Sequence, residues 1–207
     1  MINLERYRSF AREVLTPQRF EHSLGVTQVI EELTPIYDLD PMIAQMIGLL
    51  HDVGKDLDAE RQLALAQEAG LAFVDECEKD PIYLHGPIGA YRIANELGVT
   101  DPIVLDTISR HAFFGAGSAV APAYFWCLRF GDMLEPQRDW TDLRQQLAPL
   151  IYGGQMLEAA YQQVQWNIQF FHTRHMPVHP QMQRTYEALC LARQQPHHQL
   201  DPHETPC

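Results

Sequence analysis

The chain is 207 residues long, 46% apolar and 20% charged, with a formal net charge of -12. Domains usually take roughly 100–200 residues, so a single domain with a short appendage is expected, large enough to bury a core without disulfide or metal props. The apolar share excludes general disorder, and the acidic balance argues against a basic surface that grips nucleic acid. An anionic small ligand would have to be neutralised locally, by a few cations or a metal ion.

Taken in chain order, the N-terminal stretch MINLERYRSFAREVL lacks the apolar run of a secretory signal. No later run approaches the roughly 18 apolar residues of a membrane span. Thr16-Pro17 sets an N-cap candidate before a proline at the first helical position, and Asp40-Pro41 and Asp101-Pro102 repeat the pattern. From Pro41 to Leu50, Ile43, Met46, Ile47, Leu49 and Leu50 recur at helical spacing. Asp58 is expected to cap a helix that Gly70 ends. Pro87 is expected to open another, running through Ala94 and stopping at Gly98. Further helices are expected near 102–110, 122–133, 154–175 and 180–194, with a loop from Phe113 to Pro122. No segment alternates apolar and polar residues long enough to make a strand. The predicted class is all-α, with one domain over 1–195, C-terminal helices over 141–195 and a polar, Pro/His-rich tail over 196–207. The four cysteines (Cys77, Cys127, Cys190, Cys207) are scattered without a C-x-x-C pair, which reads as free thiols in the cytoplasm.

Ten histidines carry the chemical signal. Six of them, His172, His175, His179, His197, His198 and His203, lie in the polar last third and read as surface or tail. The other four sit in or beside apolar helices: His22 in RFEHSLGV, His51 in GLLHDVGK, His85 in YLHGPIGAY and His111 after the run from Pro102. Asp132 follows in LRFGDMLEP. Each buried polar group needs a partner, and convergence on a metal ion satisfies several at once. Adjacent His51 and Asp52 cannot share a face in mid-helix, but at a helix end, where Val53-Gly54 turns the chain, both can point at one ion. Imidazole with carboxylate suits iron, manganese or zinc, and without a thiolate the site should keep open positions. Lys55 and Arg138, taken singly, read as solvated charges, as do Arg19 and Glu21 as a surface pair. Phe113, Phe114, Trp126 and Phe130 read as core more readily than as a platform for a base.

The order His22, His51-Asp52, His85, His111 and Asp132 resembles the HD-domain superfamily of metal-dependent phosphohydrolases. RFEHSLGV, GLLHDVGKDL, LHGPIGAY and GDMLEPQR are similar to successive blocks of its YqeK family, over about residues 16–140. That resemblance implies an HD-domain helical bundle with a metal site at its centre, and hydrolysis of diadenosine tetraphosphate (Ap4A) into two ADP. By the same resemblance His22, His51, Asp52 and Asp132 are metal ligands, and His85 and His111 face the phosphates or a second ion. Lys55 matches the lysine after the motif, and Arg138 a basic residue near the nucleotide. All seven of His22, Asp52, Lys55, His85, His111, Asp132 and Arg138 are thereby expected at the nucleotide, with Asp52, Lys55, His85 and His111 in catalysis. The implied cofactor is one or two divalent or ferric ions, iron first, with manganese, cobalt or zinc as alternatives. His111-Ala112-Phe113-Phe114-Gly115 replaces the family's Thr-Thr-Gly-like turn, so the two phenylalanines could close over a base instead. Other expectations are a nucleotide substrate, no nucleic acid, no membrane and a homodimer as one assembly. Two further functions compete: an HD phosphohydrolase for another nucleotide, and a non-catalytic ADP-binding sensor.

Overall fold

The computed structural model describes residues 4–73, 75–116 and 120–194. Among these residues there are ten α-helices and no strand: α1 (Leu4–Val14), α2 (Pro17–Leu33), α3 (Pro41–Leu50), α4 (Ala59–Glu68), α5 (Pro81–Leu97), α6 (Pro102–Arg110), α7 (Pro122–Leu134), α8 (Thr141–Tyr152), α9 (Met156–Thr173) and α10 (Pro180–Gln194). Two 3-10 segments, Glu76–Lys79 and His111–Phe113, lead into α5 and out of α6. The expected all-α class is therefore observed. Among the described residues no helix is long and apolar enough to cross a membrane.

Aspartates start α3, α4, α5 and α6. Asp40 Oδ1 accepts from the Met42 and Ile43 backbone N–H groups at 2.8 and 3.1 Å. Asp101 repeats this on Ile103 and Val104, and Asp58 accepts from Arg61 N at 2.7 Å. Each bond satisfies a donor that a helix start otherwise leaves unpaired. Thr16 stands at its expected position, but its hydroxyl makes no cap bond; its own N–H instead donates to Asp56 Oδ2 at 2.7 Å.

Three expectations are corrected. Pro87 does not open α5 but lies inside it. The start is six residues earlier, where Asp80 accepts from Ile82 N at 2.9 Å and Pro81 takes the first turn. A mid-helix proline costs about 3 kcal/mol, and burial of Ile88, Ala90 and Ile93 beyond it offsets that cost. Helix α1 was not predicted, whereas α8 lies within the C-terminal helices expected over 141–195. In α1 the apolar positions Leu4, Tyr7, Ala11 and Val14 keep helical spacing and pack on the main core; in α8 Leu143, Leu147 and Ile151 do so despite Pro149. The segment after His111 is a loop only in part, since it begins as a 3-10 turn and passes Phe114 in the left-handed region (φ 58°). Residues 196–207 lie outside the described residues, as do His197, His198, His203 and Cys207.

Helix α7 is buried along almost its whole length, from Phe125 to Leu134. A helix apolar on every side belongs at the centre of a core, and α2, α3 and α6 pack around it. One large apolar cluster runs through these helices, and a small satellite of Leu65, Ala66, Leu84 and Ile88 joins α4 to α5. The turn after α3 is pressed onto α5. A Cβ at Gly54 would collide with the His85 carbonyl oxygen and stand 2.9 Å from the Gly89 nitrogen, so only glycine lets the two backbones meet. That contact sets the distance between His51-Asp52 and His85.

A candidate metal centre

Five helices bring the predicted residues together. His22 comes from α2, His51 and Asp52 from the end of α3, His85 from α5, His111 from the end of α6 and Asp132 from α7. All six are buried, His51 and Asp52 completely. Because α3 stops at Leu50, His51 is its C-cap and Asp52 is in the turn that follows, so the neighbours face one centre.

Three of the histidines are oriented by the same device. His51 Nδ1 bonds the Gly48 carbonyl at 2.8 Å, His111 Nδ1 the Ile108 carbonyl at 2.7 Å, and His85 Nδ1 the Pro81 carbonyl at 3.3 Å. A carbonyl can only accept, so Nδ1 carries the hydrogen and the neutral ring presents a lone pair at Nε2. The Nε2 atoms of His51, His85 and His111 lie 3.5, 3.6 and 3.8 Å from Asp52 Oδ1. Those of His85 and His111 are 3.1 Å from each other. His22 is held differently: its Nδ1 bonds Glu135 Oε2 at 3.0 Å, leaving Nε2 3.1 Å from Asp132 Oδ1. Ligand atoms of His22, His51 and Asp52 all lie within 4.8 Å of one another, as do those of Asp52, His85 and His111. Asp132 joins the first group through His22.

The donor set fits a cation. His51 Nε2 is buried and has no hydrogen-bond partner, a situation native structures avoid. Burial disfavours a proton there, and the His51 pKa falls to about 3, so the lone pair persists at neutral pH. Burial, with Lys55 and His111 adding to it, also holds His85 well below the usual imidazole range. For the carboxylates burial acts upward but loses. Lys55 and the surrounding histidines keep Asp52 well below its ordinary value, and Arg138, His22 and Arg129 do the same for Asp132. His22 is the exception: burial opposes its proton, but Asp132 and Glu135 outweigh it and its pKa is raised. Two ionised carboxylates and several imidazole lone pairs in one dry centre make a nitrogen–oxygen site for a transition-type metal.

Cations surround these acids. Lys55 Nζ is 3.2 Å from Asp52 Oδ2, and Arg19 Nη1 donates to the same oxygen at 3.1 Å while its Nε bonds Asp56. Arg138 forms a close pair with Asp132 and reaches His22 Nε2 at 3.3 Å. Arg129, buried, donates to Asp132 Oδ2 at 3.1 Å and lies over the Phe114 ring. Four of the chain's 15 basic residues thus converge here and offset the charge of Asp52, Asp56, Asp132 and Glu135, so the site is locally neutralised inside an acidic protein. Lys55 and Arg138 are therefore partners of site acids, and Arg19 pairs with Asp52 and Asp56 rather than with Glu21. Trp126 and Phe130 are core, as expected, and His172 and His175 are exposed.

Besides Arg19 and Arg129, two more residues escaped sequence reasoning. Glu135, three positions after Asp132, is 1% exposed and fixes the His22 ring. The available signal was Gly25, three residues after His22: a Cβ there would stand 2.7 Å from Glu135 Cγ, so glycine makes room for the carboxylate. Outer partners of metal-binding histidines are worth about 10–100-fold in metal affinity. Glu135→Gln is expected to weaken metal binding by that factor, measured by titration with a competing chelator, while the far-ultraviolet dichroism stays unchanged. The second missed residue is His179, grouped with the surface histidines by its polar surroundings but in fact 5% exposed.

Comparison with known proteins bears on the family and the fold. The sequence profile of the HD domain family matches residues 19–152. The chain is 26% identical over 190 residues to the symmetrical bis(5'-nucleosyl)-tetraphosphatase of Bacillus subtilis, covering 91% of this chain and 98% of the relative. It is 25% identical over 179 residues to the protein of the same name from Halalkalibacterium halodurans, covering 86% and 91%. A crystal structure described as a predicted HD superfamily hydrolase involved in NAD metabolism, from Clostridium acetobutylicum, superimposes with a TM-score of 0.83. It is 23% identical and covers 92% of this chain and 98% of that one, a likeness of fold.

Proposed function

Because this chain belongs to the HD domain family, we propose that it is a metal-dependent hydrolase that cleaves diadenosine tetraphosphate symmetrically into two ADP. The observation that carries this reading is the convergence of His51, His85 and His111 Nε2 on one Asp52 oxygen, ringed by Arg19, Lys55, Arg129 and Arg138. The names of two relatives matched over most of their length supply the substrate class.

In this reading His22, His51, Asp52 and Asp132 hold the ion, iron first, with manganese, cobalt or zinc as alternatives. Such a cation supplies Lewis acidity towards phosphoryl oxygen and water. The protein's own groups do the rest. Lys55 and Arg138 sit partly exposed at the edge of the acids they pair with, and clamp the polyphosphate, Arg138 with a planar fork. His85 and His111 have Nδ1 tied to carbonyls, so Nε2 is their working atom; its lone pair takes a proton from the attacking water and passes that proton to the oxygen of the departing ADP as the P–O bond breaks. Asp52 also orients the attacking water. Catalysis is then mainly positioning plus electrostatic stabilisation. We read residues 1–195 as one domain, the cytoplasm as its compartment, consistent with the free Cys77, Cys127 and Cys190, and a small polyanion rather than nucleic acid as its ligand.

Metal-loaded protein incubated with Ap4A is expected to release ADP alone, resolved by anion-exchange chromatography. AMP plus ATP, or turnover confined to another nucleotide, would replace this substrate. Tight ADP binding without turnover under iron, manganese or cobalt would make the protein a sensor.

A further inference from the structure

Helix α7 ends at Leu134, and the chain then makes a tight turn, Glu135-Pro136-Gln137-Arg138, closed by the Arg138 N–H on the Glu135 carbonyl at 3.1 Å. Proline at the second position presets the backbone for such a turn. Its two ends carry two groups of the candidate site. Glu135 Oε2 holds the His22 ring, and its Oε1 accepts from the Gln137 N–H at 2.9 Å. Arg138 Nε donates to the Asp132 carbonyl at 3.3 Å, and its Nη2 pairs with the Asp132 carboxylate. The same guanidinium lies over the Trp140 ring, 5.0 Å from the centroid.

Arg144, in the first turn of α8, reaches back to this turn. Its Nη2 donates to the Glu135 carbonyl and to the Arg138 carbonyl, at 2.8 Å each. These acceptors are the first and last residues of the turn, so one nitrogen with two hydrogens clamps it across its ends. The Glu135 oxygen accepts twice, from Arg138 N and from Arg144 Nη2, as a carbonyl with two lone pairs can. Arg144 is half-buried, and its Nε is buried without a hydrogen-bond partner. Among the described residues no carboxylate pairs with its guanidinium. A charged group set on two main-chain oxygens, with no acid beside it, holds a backbone shape rather than a charge.

We propose that Arg144 is a positioning residue for polyphosphate binding: by clamping both ends of the 135–138 turn it aims the Arg138 fork at the substrate. A planar fork needs orientation as well as charge to meet two phosphate oxygens. Small displacements of a positioning group are costly, so the backbone that carries the fork has to be fixed. The Arg138 side chain is 27% exposed and can meet a ligand, whereas Arg144 acts only through the turn. That Arg138 binds phosphate belongs to the Ap4A reading above, on which this proposal rests. That Arg144 sets the position of Arg138 rests on the turn alone.

The test uses metal-loaded, full-length protein with inorganic pyrophosphate as the probe, affinity read by titration calorimetry and folding by a thermal melt. Arg138→Gln is expected to weaken pyrophosphate binding about tenfold or more, the usual worth of a charge-assisted hydrogen bond. Arg144→Met keeps a long side chain, removes every donor and should lose about as much, close to tenfold. In an Arg138→Gln background the same change should matter by less than about twofold, because residues acting through one fork are not additive. Arg144→Lys offers three donors on a stem one bond shorter, so it should recover all but about threefold of the loss. If Arg144→Met does not fold, Arg144→Lys carries the test, with about a threefold loss alone and none beside Arg138→Gln. A merely structural Arg144 would lower the melting temperature in both backgrounds without that dependence on Arg138. Wild-type affinity in Arg144→Met, additive losses in the double variant, or pyrophosphate binding that is absent in wild type or unaltered in Arg138→Gln each overturns the proposal. Failure of wild type to release ADP from Ap4A defeats the functional reading instead, while the pyrophosphate arms still decide the clamp.

Discussion

His51→Ala and Asp52→Ala are each expected to strip the protein of its metal and to lower Ap4A turnover by well over about a hundredfold, since even outer partners of metal ligands are worth about 10–100-fold. His51 is fully buried, and its Nε2 has no hydrogen-bond partner in the protein. Truncation therefore removes a ligand atom without breaking a visible contact at that nitrogen. Asp52 is the residue common to both candidate ligand groups. Its loss also takes the shared carboxylate from Arg19 and Lys55, but both cations are partly exposed and Arg19 keeps Asp56, so the cost in stability stays below the roughly 3–5 kcal/mol of breaking a buried pair. Asp52→Asn keeps the volume and separates ligation from stability. Metal content after gel filtration, ADP release and a thermal melt distinguish the two losses. A variant that stays metal-loaded and fully active would refute the site.

His111→Ala is expected to keep the ion held by His22, His51 and Asp52 and yet to lose about 10²–10⁴ in turnover, the usual worth of a positioned acid or base. The separation follows from geometry. His111 faces His85 at 3.1 Å and Asp52 at 3.8 Å, and belongs to the group that does not contain His22 or His51. Metal stoichiometry measured beside single-turnover rates decides its role. An unchanged stoichiometry assigns His111 to the phosphates, and loss of one ion of two assigns it to a second ion. Complete loss of metal would contradict the division of the centre into two groups.

Much of the candidate site was legible because residue type and local spacing carry it. His51-Asp52 at a helix end, His85 and His111 beside apolar runs, and Asp132 in a helix of Phe, Leu and Met all stand out as polar groups where burial demands a reason. Glu135 did not stand out, since an acid followed by Pro136 looks like a surface turn until α2 is packed against it. Arg19 and Arg129 were equally silent. An arginine on a helix is ordinary until the carboxylate it meets, here Asp52 for Arg19, comes from 33 positions away. Pro87 misled for a related reason. Proline at a helix start is a local signal, but whether a helix tolerates one inside depends on what the rest of the helix buries.

Local signals in the sequence were enough for most of the helices and for the kinds of candidate ligand. Aspartate caps, apolar spacing and a His-Asp pair at a helix end act within four residues, so they survive without knowledge of the fold. Only the tertiary structure decided which nitrogen of each imidazole faces the centre, that Glu135 steadies His22 across 113 positions, and that His179 meets Tyr83 across 96. These contacts follow from how α2, α5, α7 and α10 pack, and side chains brought together over such separations leave no local periodicity to read. The net charge of -12 shows the same division: composition describes the surface, while packing sets four cations against Asp52, Asp56, Asp132 and Glu135 and so fixes the field that a polyphosphate would meet.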